Sequence, residues 1–101
     1  MAPRLDLHNI LVGILGSPYA YFQPPPSQFM QYPAIRYSLD DIDAAHANNK
    51  PYINTKRYQI VVIDPNVDSE IPGKIAELPS CTFDRFYTAD NLNHYVFNIF
   101  F

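Results

Sequence analysis

Apolar positions recur at helical spacing near the start of the chain. Within residues 3–15, Leu7, Ile10, Leu11 and Ile14 fall at i, i+3, i+4 and i+7, one stripe of a helix. Val12 and Leu15 widen it. Pro3 suits a first helical turn, and Gly16-Ser17-Pro18 stops the run. After that the period drops to two. Residues 19–23 predict a short strand ended by Pro24-Pro25-Pro26, a rigid extended stretch without ladder donors. Tyr32, held extended by Pro33, leads into a second strand over residues 34–38. Residues 39–54 mix Asp40, Asp41 and Asp43 with alanines and Asn48-Asn49, and read as a polar loop with one helical turn.

Residues 57–64 carry the strongest strand signal. The run Ile60-Val61-Val62-Ile63 leaves no polar face, so the strand belongs in the centre of a sheet, covered on both sides. Asp68 or Ser69 can cap a second helix ending at Leu78, with Ile71 and Ile75 inward, Lys74 outward and Pro72 in the early turns. Two more strands follow, 81–88 and 92–101, joined around Ala89-Asp90-Asn91. Strict alternation puts Phe83, Arg85 and Tyr87 on one face of the first, opposite Thr82, Asp84, Phe86 and Thr88. In the second, Tyr95, Phe97, Ile99 and Phe101 form the core face; Val96 and Phe100 lie on the other. The order α-β-β-β-α-β-β predicts an α+β fold, a mainly antiparallel or mixed five-stranded sheet with two helices packed on it.

Composition narrows the class. The 101 residues suit one domain, residues 1–101, with no internal repeat and no second core. With 48% apolar and 17% charged residues there is enough to bury. Fifteen per cent aromatics, all Tyr and Phe, favour strands, while 10 prolines against 3 glycines favour longer connections over tight turns. A net charge of −3 disfavours tight phosphate-backbone binding. No membrane span or secretory leader is expected, and the lone Cys81 excludes an internal disulfide. The picture is a soluble domain of cytoplasmic type.

Chemistry is hard to place on these residues. His8, His46 and His94 lack metal-ligand spacing, and no glycine-rich phosphate loop is present. His46 near Asp43 and His94 near Asp90 suggest acid–base pairs, yet such loop pairs are ordinarily solvated. Cys81 has no base and orienting group to make it a nucleophile. The carboxylates Asp64, Asp68 and Glu70, like Asp40, Asp41 and Asp43, lack the calcium-loop pattern and read as caps or a charged loop. Arg36, Lys56, Arg57 and Arg85 are expected to pair with Asp84 and Asp64. No catalytic, cofactor or metal site is expected, which leaves association. A strand ending in aromatics on both faces needs either intrachain cover or a neighbouring subunit.

Taken in order, several blocks form a recognisable set: Tyr21-Phe22-Gln23-Pro24-Pro25, Tyr32-Pro33-Ala34-Ile35-Arg36-Tyr37, Tyr52-Ile53-Asn54, Lys56-Arg57-Tyr58-Gln59, Val62-Ile63-Asp64-Pro65, Ile71-Pro72, Leu78-Pro79-Ser80-Cys81-Thr82-Phe83-Asp84-Arg85 and Asp90-Asn91-Leu92-Asn93-His94. The series, spanning residues 3–101, resembles the small tail-terminator (tail-completion) proteins of long-tailed bacteriophages, encoded in the head–tail joining region. The resemblance implies a structural virion protein without catalytic residues or cofactors. It implies a ring, hexameric in that family, that caps the tail tube, stops its polymerisation and docks on the head connector. Assembly in the host cytoplasm, a place in the virion neck, and DNA passing through the lumen unbound are further implications. A head-side stopper or adaptor is the alternative within the neck; a small hydrolase using His94, Asp90 or Cys81, and a monomeric adaptor docking through its prolines, are alternatives outside it.

Contacts with other subunits or partners are expected at Phe22, Pro24, Pro25, Pro26, Phe29, Tyr52, Ile53 and Phe100. Asp40, Asp41 and Asp43 are expected to form an acidic loop facing the lumen, where like charge would keep DNA moving.

Overall fold

The computed structural model describes residues 4–25, 30–47 and 50–101; for Asp41 and residues 43–47 and 50–55 it describes the backbone. The elements run α1 (Arg4–Leu15), β1 (Ala20–Phe22), β2 (Ala34–Ala47), β3 (Lys50–Asp64), α2 (Ile71–Ala76), β4 (Cys81–Ala89) and β5 (Leu92–Phe100). One five-stranded sheet has the order β1-β2-β3-β5-β4. β1 pairs parallel to β2, and every other pairing is antiparallel. This is the α+β architecture expected from the sequence, with β3 in the middle.

Both helices pack on one face. Leu7, Leu11 and Leu15 are buried against the sheet, while Ile10 is exposed and Ile14 half-buried. The stripe is therefore a single i, i+4 ridge, narrower than the expected one. Gly16, at φ 75°, ends the helix in the left-handed conformation, and its N–H donates to the Val12 carbonyl at 2.9 Å. The shorter α2 keeps Pro72 in its first turn, where no donor is missed, and buries Ile75. The Ser69 hydroxyl accepts the Ile71 N–H at 3.3 Å. The helix ends at Ala76 instead of Leu78.

Under the helices lie Ile35, Tyr37, Tyr58, Ile60, Val62, Phe97 and Ile99. The opposite face buries Val61, Ile63 and Val96, with Met30, Tyr87 and Leu92 packed on them. Residues 60–64 are thus buried on both sides, as the unbroken apolar run requires. Each fully buried Leu or Ile contributes roughly 1.5–3 kcal/mol, so the two faces of β3 anchor the fold.

Two expectations need correction. Residues 39–47 and 50–54 do not form a loop. They continue β2 and β3, paired from Ala34↔Ile63 out to Ala47↔Lys50 with irregularities at Leu39/Asp41 and Ala45/His46. Asp and Ala are weak strand formers, and the ladder to the more β-prone Ile53 and Thr55 overrides that weakness. The second correction is in β4. A register shift between Phe83 and Arg85 inserts Asp84 as a bulge, so Phe83 opposes Phe97 and Phe86 opposes Tyr95. One extra residue reverses the alternation, and Phe83 and Phe86 share the helix-side face instead of opposing each other. The Tyr32–Pro33 peptide is cis, and β2 begins after it at Ala34, where the strand was expected to start.

Candidate functional site

The distinctive feature is an arm. Within the body, β2 pairs with β1 at Ile35, Arg36 and Tyr37, and β3 pairs with β5 from Arg57 to Asp64. Beyond that point, the strand ladder of residues 42–47 and 50–56 has two strands among the described residues. The seven residues 50–56 reach about 23 Å as strand, consistent with a long dimension of 50 Å against 25 and 23 Å. The root is fastened from several sides. The Gln23 amide oxygen accepts the Leu39 N–H at 3.2 Å, the Phe101 N–H donates to the Lys56 carbonyl at 3.0 Å, and Arg57 pairs with Asp40 at 2.8 Å. An isolated two-stranded ribbon is at best marginally stable in water, so the outer arm gains most from a neighbour.

A second open feature is the edge strand β4. It leaves Phe83 and Phe86 55% and 51% exposed. Their rings pack only edgewise or tilted, Phe83 on Phe97 at 5.4 Å and Phe86 on Tyr95 at 5.0 Å. Asp90 and Asn91, both at positive φ, form the two-residue turn to β5. The Asp84 bulge and the Asp84–Arg85 ion pair, 2.8 Å, interrupt this edge, a common protection against pairing with other chains. At the opposite edge β1 spans only Ala20–Phe22 and runs into Pro24 and Pro25.

Between α1, the turn before β4 and the end of β5 lies an apolar groove of about 220 Å³, walled by Leu7, Ile10, Leu78, Pro79, Ile99 and Phe100. Of its lining side chains only that of Ser80 is polar. It can hold an apolar side chain, and it brings no acid or base to act on one.

The densest polar cluster is structural in geometry. Tyr37 is fully buried. Its hydroxyl lies 2.7 Å from His8 Nδ1 and 3.2 Å from Arg4 Nη1, which donates to it. The Arg4 guanidinium also stands 4.4 Å from the Phe22 ring centroid. Burial raises the Tyr37 pKa, only partly countered by Arg4 through its hydrogen bond and charge. The phenol therefore stays protonated and can donate to a neutral His8. These contacts lock α1 onto β1 and β2, and no residue spacing along the chain reveals them.

The expected site residues separate into groups. Phe22 is turned into the chain's own aromatic cluster, 5.1 Å from Tyr37 and 6.4 Å from Tyr58. Pro24 is half-buried and Pro25 exposed just after β1. Pro26 and Phe29 lie outside the described residues. Tyr52 and Ile53 are placed on β3 in the outer arm, with side chains outside the description. Phe100 is 43% exposed at the end of β5, beside the groove. Asp40, Asp41 and Asp43 sit on strand β2 and not in a loop; Asp40 is committed to Arg57, while the side chains of Asp41 and Asp43 are outside the description.

The weighed chemistry resolves similarly. His94 donates through Nδ1 to the Leu92 carbonyl at 3.1 Å and stacks on Tyr87 at 4.6 Å. Asp64 accepts the Asn66 N–H at 2.8 Å, and Asn66 Oδ1 accepts the Asp68 N–H at 3.0 Å, so these residues shape the turn after β3. Of the four cations expected to pair with Asp84 and Asp64, Arg85 pairs with Asp84, and Arg57 pairs with Asp40, outside the expected set. Cys81 is partly buried, and that burial raises its pKa. Among the described residues no three His, Cys, Asp or Glu side chains gather as a metal site. No protein-family model matches the chain, and neither characterised proteins nor solved structures show significant similarity to it.

Proposed function

We propose that this chain is a structural, self-assembling protein of the bacteriophage neck, a tail terminator that closes the end of the tail tube as a ring. The observation that carries the reading is the arm. A β-ribbon extending past its own sheet, with no third strand along it among the described residues, suits a protein completed by neighbours. The exposed Phe83, Phe86 and Phe100 add aromatic surface of the kind that anchors subunit contacts. The ordered sequence blocks supply the link to tail terminators.

In this reading copies meet head to tail, because a heterologous contact whose rotation closes generates a ring. The tube protein meets one face and the head connector the other. DNA passes through a lumen to which the Asp41 and Asp43 strand contributes negative charge, keeping phosphate contact weak. The test is tube extension in the presence of the purified chain. A terminator stops growth at substoichiometric amounts and stays on isolated tails. Tubes that grow unhindered refute the reading, and retention on DNA-filled tailless heads assigns the chain to the stopper or adaptor class instead.

A further inference from the structure

Among the described residues Val67 is the most exposed of the large apolar side chains, 74% open to solvent. It stands on the turn between β3 and α2, and that turn is braced. Asp64 Oδ1 accepts the Asn66 N–H at 2.8 Å, Asn66 Oδ1 accepts the Asp68 N–H at 3.0 Å, and the Asn66 carbonyl accepts the Ser69 N–H at 3.3 Å. A β-branched side chain on a fixed turn has little freedom to lose on capture. The complementary feature is the apolar groove of about 220 Å³ beside α1.

We propose that the groove of one copy receives Val67 of the next, a knob-in-groove contact that joins copies head to tail. The inference rests on the self-assembly half of the functional reading and adds the residues that meet.

Two observations select a second copy as the occupant, and a third orients it. Val67 follows Asp64, which pairs with Asn93 near the start of β5, whereas the groove lies at Ile99 and Phe100 at its end. From Asn93 to Ile99 is about 20 Å of strand, so a chain cannot fill its own groove this way. Size is the second. A cavity of roughly 150 Å³ takes a benzene-sized group, so a valine side chain fits, and displacing loosely held water from an apolar wall favours binding. Phe83 and Phe86 already lean on Phe97 and Tyr95, and Leu5 lies on the helix that walls the groove. Charge sets the orientation. The exposed Asp68 and Glu70 flank Val67. Lys56 borders the groove on its β3 side, where its carbonyl accepts the Phe101 N–H at 3.0 Å, whereas Asp6 and Glu77 lie on the α1 and β4 sides. The acidic turn therefore faces β3. Knob and groove are different surfaces at opposite ends of the sheet, so the contact is heterologous and each copy keeps one of each for its neighbours.

Spoiling the two surfaces separately tests this. Val67→Asp removes the knob, and Ile10→Glu, at an exposed position of α1, closes the groove. Native mass measurement at high micromolar concentration should show wild type assembling beyond a dimer and each variant alone remaining monomeric. Their equimolar mixture should form heterodimers and nothing larger, because one sound knob and one sound groove remain. Val67→Ala should weaken the contact about tenfold. Lys56→Glu should weaken it by an amount that shrinks with added salt, and an unchanged contact overturns the orientation. Circular dichroism and melting check that each variant stays folded; if Ile10→Glu does not, Pro79→Glu blocks the groove from another exposed wall. Wild-type assembly with unaffected variants, or a mixture that stays monomeric or rebuilds the full assembly, overturns the contact and leaves the ring reading standing. A wild-type chain monomeric up to millimolar concentration also overturns the contact, while tube extension decides the ring reading separately.

Discussion

Removing one oxygen atom tests how the first helix is held. Tyr37→Phe keeps the ring in the core and deletes only the hydroxyl that meets His8 at 2.7 Å and Arg4 at 3.2 Å. A net hydrogen bond between neutral groups contributes about 0.5–1.5 kcal/mol, and one to a charged group up to about twice that. His8 and Arg4 are not fully buried and regain water, which places the loss near 2 kcal/mol. For a domain of this size that lowers Tm by about 10 °C. Chemical denaturation followed by far-UV circular dichroism gives the free energy. A cycle with His8→Ala should return a coupling of about 1 kcal/mol.

The same substitution has a signature in pH. Burial is the main cause raising the Tyr37 pKa above its ordinary 10.0. Above that pH the unfolded chain gives up the phenolic proton while the folded chain retains it. Unfolding then releases a proton, and stability falls as pH rises toward the folded pKa. Below about pH 9 this contribution is constant. Tyr37→Phe should remove its share of the alkaline loss. A change under about 0.5 kcal/mol, or an unaltered alkaline slope, would refute the role given to this cluster.

Other substitutions probe separate parts of the fold. Ile75→Ala empties the buried anchor of α2 and should cost about 2–4 kcal/mol in urea denaturation; a loss below 1 would mean that the short helix is not docked through it. At the β4–β5 turn Asn91, φ 62°, should tolerate Gly, whereas Asn91→Ala should lower stability by about 1 kcal/mol on thermal melting. Cys81, its pKa raised by burial above the ordinary 9.0, should alkylate more slowly at pH 7 than a free thiol; faster reaction would show an exposed or activated sulfur.

The body of the fold was legible because its signals are local. The Ile60–Ile63 run identified the central strand, and the two-residue alternation of β5 separated its core face from Phe100. The arm was hidden because Asp41, Ala44 and Ala45 have no strand preference of their own and are ordered by distant partners, Arg57, Asn54 and Ile53. The exposed pair Phe83 and Phe86 depends on a bulge, and one inserted residue leaves no mark on an alternating pattern. Phe22 shows the reverse case. An aromatic beside three prolines suggested an outward contact, yet β1 places it on the Tyr37 ring. Asp40 was grouped with its acidic neighbours until the ladder brought Arg57 beside it.

The most direct test of the account is to locate the chain in assembled particles, by electron microscopy of gold-labelled antibody on virions and on isolated tails. The label should fall at a single position, the head-proximal end of the tail, and remain there when heads are absent. Label scattered along tails, or recovered only with protein free of particles, would contradict a role as the closing ring of the tube.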